Sequence, residues 1–170
     1  MYVHKEAKLI FLANPRTAST SVAKALMEIG FEKEGAHHSG QTDLRPWPTF
    51  AVVRNHWDAA VSWVFGLHKG EYKDLVVSVP TIEFALDNNG LVFDGRMFPH
   101  RADGEIHYEN LQNELNRVLF YWDLPEVDLP WLNVSTRRNG RHYREFHTDE
   151  TRDYVHSRFK DEIESLGYEF

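Results

Sequence analysis

Residues 14–21 read Asn-Pro-Arg-Thr-Ala-Ser-Thr-Ser. Four small hydroxyl side chains, Thr17, Ser19, Thr20 and Ser21, crowd around one guanidinium, Arg16. An apolar run ends just ahead of them and a helical pattern follows. At such a junction the first N–H groups of a helix lack intrahelical partners and carry partial positive charge, which suits a phosphate or sulfate. Small hydroxyls add donors without blocking approach, and arginine adds a forked, charged donor set. The competing explanation is helix capping. One cap takes one such residue, and this stretch has four.

A second junction has related chemistry. Arg54 closes the apolar run 49–54, and Ser62 lies two turns into the next helical pattern. Their purely structural roles would be an ion pair between Arg54 and Asp58 and a small residue on a packed helix face. The densest basic stretch is 135–144, with Arg137, Arg138, Arg141 and Arg144 around Gly140; its plain reading is a solvated loop. Ten histidines are present. His37 and His38 sit together in a glycine-flanked loop, 34–43, where a neutral imidazole could accept a proton near pH 7. The alternative is two exposed loop histidines. A zinc site there is disfavoured, because no acid–histidine helix signature accompanies them. His107 reads as a packed strand residue.

The elements that must hold these groups follow from periodicity and punctuation. Residues 8–13 and 49–54 read as buried strands, 104–109 as an alternating strand and 130–135 as a last strand. Helical patterns cover 20–30, stopped by Gly30; 56–70, capped by Asn55; a short stretch from Pro80 to Leu86; 110–125, ended by Pro125; and 147–170, opened by Thr148 and Thr151 ahead of acidic residues. Alternating strands and helices predict an α/β fold: three layers, with an open, mostly parallel sheet flanked by helices. Ligands in such folds sit at the carboxyl ends of strands, where residues 14–21 and 54–62 are delivered.

The 170 residues are read as one domain. A net charge of −7 excludes a general nucleic-acid binder, so any anion site must be a local concentration of basic groups. The absence of cysteine excludes disulfides, thiolate catalysis and cysteine-ligated zinc. The apolar run 9–13 is too short for a signal core or a membrane span, so a cytoplasmic protein without membrane association is expected. The P-loop pattern G-x-x-x-x-G-K-[ST] fails: with Thr20 as its last residue, Ser19 stands for the lysine and Ala13 for the first glycine.

The segment "FAVVRNHWDAAVSWVF" (50–65) resembles the 3′-phosphate-binding segment of sulfotransferases that use 3′-phosphoadenosine 5′-phosphosulfate (PAPS), a strand ending V-R-N-P-x-D-x-x-V-S. "NPRTASTSV" (14–22) resembles their 5′-phosphosulfate loop, in the form found in glycan 2-O-sulfotransferases. "EIHYENL" (105–111) resembles a later strand–helix junction of the family, and 143–170 the end of its bacterial and carbohydrate-acting members. The resemblance implies a P-loop-like sulfotransferase fold and transfer of a sulfuryl group from PAPS to an acceptor hydroxyl, a sugar hydroxyl included, or amine. The product is 3′,5′-ADP and no metal is expected. Arg16 and the N–H groups of Thr17, Ala18, Ser19 and Thr20 would hold the phosphosulfate, with hydroxyls from Ser19, Thr20 and Ser21. Arg54 and Ser62 would hold the 3′-phosphate, and Arg137, Arg138 and Arg141 would cover the nucleotide or an anionic acceptor. Arg16 also stabilises charge during transfer. The base would be His38 or its neighbour His37, with spacing favouring His38. Trp57 and Trp63 are candidates for the adenine pocket.

Two departures from the pattern stand out. Arg16 replaces the usual lysine and is wider than a point charge. His56 replaces a common proline, with little functional effect expected. Two other functions compete: a nucleotide-binding module of the same fold without transfer, and a small P-loop-like kinase. The partner is a small-molecule or glycan acceptor; the residues do not define its identity or the oligomeric state.

Overall fold

The computed structural model describes residues 1–35, 46–67, 77–87, 96–130, 132, 138 and 140–170. They form a five-stranded mixed, mostly parallel open sheet and six helices. The strands are β1 (Tyr2–His4), β2 (Leu9–Leu12), β3 (Glu32–Lys33), β4 (Thr49–Val53) and β5 (Gly104–His107). The helices are α1 (Ser19–Glu28), α2 (His56–Leu67), α3 (Val79–Asp87), α4 (Leu111–Tyr121), α5 (Asp149–Arg158) and α6 (Lys160–Leu166). The chain gathers into two compact units, Met1–Val53 with His100–Asn133, and Arg54–Pro99 with Val134–Phe170.

The first unit carries the sheet, in the order β3-β1-β2-β4-β5. β2, β4 and β5 are parallel neighbours, and β1 runs antiparallel to both β2 and β3. Four strands therefore point one way and β1 the other. Alternation along the strands splits the core. Leu9, Phe11, Phe50, Val52 and Ile106 pack with Val22 and Leu26 of α1 and Leu111, Leu115 and Leu119 of α4. Val3, Ile10, Leu12 and Ala51 cluster on the opposite face. Asp103 ties the starts of β4 and β5 together: its Oδ2 accepts Thr49 N and Thr49 Oγ1, both at 2.8 Å. Those two bonds hold the Asp103 carboxyl below its usual range.

Gly30 (φ 101°) ends α1 as expected, and Phe31 N bonds back to Leu26 O. Helix α4 stops earlier than the predicted 110–125. Asp123 adopts a left-handed conformation (φ 52°), and Leu124 N returns to Leu119 O, so a Schellman-type turn ends the helix ahead of Pro125. The β1 hairpin partner was absent from the sequence reading; three residues are too short for periodicity to reveal. The predicted strand 130–135 lies largely outside the described residues.

The second unit is helical. Asn55 caps α2 as read, its Oδ1 accepting Trp57 N at 3.1 Å and Asp58 N at 3.2 Å. The single helix expected over 147–170 is instead two, broken at Phe159 (φ −120°, ψ 24°). Thr148 and Thr151 form the capping box that opens the first. The break places Asp161 and Glu162 in the first turn of α6, where acidic groups suit the helix dipole. Glu162 then accepts His56 Nε2 and Met97 N, both at 2.9 Å, and Phe98 N at 3.3 Å. Among the described residues, no helix is long and apolar enough to cross a membrane.

Candidate functional site

The turn between β2 and α1 is pinned from below. Asn14 is fully buried; its Nδ2 donates to Val52 O at 3.1 Å and its Oδ1 accepts His100 N at 3.0 Å. Thr17, also fully buried, donates its hydroxyl to Asn14 O at 2.9 Å. Held at both ends, the turn places Arg16 (φ 61°) and Ala18 (φ 57°) in the left-handed region. For a non-glycine residue that costs about 1–2 kcal/mol. Left-handed residues spaced along a turn fold successive N–H groups into a concave nest, the geometry of anion cradles.

The hydroxyls do not cap the helix. Ala18 is the N-cap of α1, without a side-chain cap hydrogen bond, and no acidic residue lies in the first turn. The capping explanation for four hydroxyls therefore loses its main support. Ser21 has a separate task, its Oγ accepting Leu132 N at 3.3 Å. Ser19 and Ser21 are buried and Thr20 is exposed.

In the second unit Asp58 and Ser62 lie four residues apart on α2, and Arg54 stands just ahead of that helix, four residues before Asp58. Arg54 Nε donates to Asp58 Oδ2 at 2.7 Å, and Nη2 lies 2.6 Å from the same oxygen. The ion pair read as the structural alternative is thus present. It is buried rather than superficial, with Arg54 only 7% exposed. Arg138 joins it, Nη1 on Asp58 Oδ1 and Nη2 on Asp58 O at 2.9 Å. Two guanidiniums thus share one carboxylate in a poorly solvated place. Neutral His147 lies against it: burial pushes its imidazole below the usual range, and Arg138 works in the same direction. Its Nε2 donates to Trp57 O at 3.0 Å.

The other candidates fall differently. Arg141 is not gathered onto Asp58. It pairs with Glu145 at 3.3 Å and lies over the Phe146 ring at 4.3 Å. Arg137, His37 and His38 lie outside the described residues. Trp57 and Trp63 are buried. Trp57 stacks on His156 and donates its indole N–H to Arg152 O at 2.9 Å, a packing role rather than an open pocket wall. His107 is not packed away: its side chain is 41% exposed. The sequence reading missed Asp58 as a shared anchor for two arginines. Its signal is the Arg-x-x-x-Asp spacing, which by itself predicts only the Arg54–Asp58 pair.

No group of metal-ligating side chains suited to an ion occurs among the described residues. Comparison with known proteins adds no family: no family model, no curated protein and no solved structure matches this chain.

Proposed function

We propose that the chain binds PAPS through a P-loop-like turn and transfers its sulfuryl group to an acceptor hydroxyl or amine, on a small molecule or a glycan. The observation that carries this reading is the left-handed conformation of Arg16 and Ala18 at a helix start that no side chain caps. Strain held without glycine is retained where the surroundings demand a particular backbone, and an anion cradle is such a demand. The N–H groups of Thr17, Ala18, Ser19 and Thr20 would receive the phosphosulfate, with Arg16 balancing charge as the bond to sulfur breaks. The 3′-phosphate falls to Arg54 and Arg138, two neighbouring guanidiniums that share the Asp58 carboxylate. Ser62, one turn beyond Asp58, would add a hydroxyl. Arg137 and Arg141 are proposed only for the rim.

Thermal unfolding with 3′,5′-ADP, 5′-AMP and ATP–magnesium tests the reading. A specific ligand at a hundredfold excess over its dissociation constant stabilises by about 2.7 kcal/mol. 3′,5′-ADP should stabilise most, and transfer from PAPS should survive EDTA. Preference for ATP–magnesium would redirect the assignment to a kinase. 3′,5′-ADP binding without turnover over a broad acceptor panel would leave a binding module.

A further inference from the structure

β5 is the outermost strand of the sheet among the described residues, and a cavity of about 470 Å³ opens between it and α4. His107 and Glu105 line it from the strand, and Glu114, Arg117, Tyr121 and Trp122 from the helix and its end. Glu114 holds His107 twice. Its Oε2 accepts the His107 backbone N–H at 2.6 Å and lies 3.4 Å from the ring Nδ1. An ionised carboxylate can only accept, so this contact favours the tautomer that carries its proton on Nδ1. A carboxylate that orients an imidazole in this way also stabilises the imidazolium formed on proton uptake.

Strand register gives His107 its place. It pairs with Val53, and Leu12 pairs with Ala51, so His107 stands level with Asn14 two strands away. At ~4.8 Å per strand, the two backbones are ~10 Å apart along the carboxyl edge of the same sheet. That interval accommodates a sulfuryl group and an acceptor oxygen. His56 also meets a carboxylate, that of Glu162, but it is fully buried.

We propose that the cavity between β5 and α4 seats the acceptor and that His107 removes its proton, with Glu114 as the positioning residue. This rests on the PAPS reading above and moves the base from the loop histidines His37 and His38 to His107. The acceptor oxygen forms a bond to sulfur while the bond from sulfur to the 5′-phosphate oxygen breaks. That electron pair leaves on 3′,5′-ADP, and the acceptor proton goes to His107 Nε2. Tyr121, 80% exposed, and Trp122 offer ring faces, while Glu105 and Arg117 bring one negative and one positive group. The class that fits is a hydroxyl acceptor with a ring or apolar body and both donor and acceptor groups.

The test measures sulfate release from radiolabelled PAPS, with water as the acceptor probe. His107→Ala and His107→Gln should each lower release about a hundredfold while 3′,5′-ADP affinity stays at the wild-type value. Added imidazole should restore His107→Ala, and Glu114→Gln should shift the pH profile. A His37→Ala/His38→Ala double variant is measured beside them as the rival base. Normal release by His107→Ala, a loss that imidazole does not restore, or loss confined to the double variant would overturn the assignment and leave the PAPS reading intact. If the wild-type protein binds no 3′,5′-ADP, the PAPS reading fails and this inference fails with it.

Discussion

Asp58 receives Arg54 at two points on one oxygen, Oδ2, at 2.7 Å from Nε and 2.6 Å from Nη2. Its other oxygen and its backbone carbonyl are taken by Arg138. Asp58→Asn would remove the carboxylate charge that the two guanidiniums share. Breaking a buried pair from one side costs about 3–5 kcal/mol, discounted here toward the lower end because Arg138 is partly solvated. Chemical denaturation should show that loss. Added 3′,5′-ADP should recover more stability in Asp58→Asn than in the wild type, since a phosphate replaces the missing charge.

Arg54→Ala separates the two nucleotides. Only 3′,5′-ADP carries a 3′-phosphate, and a charged hydrogen bond contributes about 1.5–3 kcal/mol. Its affinity should fall by about 10- to 150-fold in calorimetric titration, with 5′-AMP nearly unaffected. Equal losses for both would remove Arg54 from the 3′-phosphate.

Ala18 is left-handed, so substitutions there read the strain directly. Ala18→Gly should leave stability unchanged or raise it by up to about 1 kcal/mol, because glycine enters that region without steric penalty. Ala18→Val should destabilise by about 1–2 kcal/mol, since a branched side chain crowds the same backbone. If Ala18→Gly unfolds earlier than the wild type in urea, the left-handed turn is not the resting conformation.

Glu162 gathers three donors, His56 Nε2 and the backbone N–H groups of Met97 and Phe98. Glu162→Ala strands all three and should cost about 3 kcal/mol or more, measured as a lowered Tm. His56→Pro, the substitution that matches the sulfotransferase pattern, should also lower Tm. It removes a fully buried ring set against Phe98, Phe159 and Tyr168 and leaves Glu162 without its side-chain partner. The sequence reading expected little functional effect from this residue; its structural share is large.

His147 makes stability depend on pH. Burial holds its imidazole below the ordinary value of 6.5, so the unfolded chain binds a proton that the folded chain refuses. Stability is therefore fully present above 6.5 and falls as pH drops from there toward the folded value. His147→Gln should flatten this slope. Urea midpoints at about pH 7.5 and about pH 5.5 measure it, and an unchanged slope in the variant would assign the dependence to other groups.

Much of the architecture was legible because its causes are local. Asn55 caps α2 with its own side chain two and three residues on, and Gly30 supplies the left-handed turn that ends α1. The apolar runs of β2 and β4 announce buried strands, and Arg54 and Asp58 are one helical turn apart. Each of these is an interaction within a few residues, so composition and spacing carry it.

The sequence by itself thus determined the alternating elements, the place of the strand-to-helix turn at 14–21, and the pairing of Arg54 with Asp58. Tertiary structure alone decided which distant groups share those places. Arg138 reaches Asp58 across 80 residues of chain. A continuous helical pattern is broken at Phe159, and beyond the break the Glu162 carboxylate reaches His56 and two backbone N–H groups at 97 and 98. β1 enters antiparallel because its three residues find edges to pair with on β2 and β3. Such contacts depend on which surfaces meet after the chain closes long loops, and no local propensity encodes that.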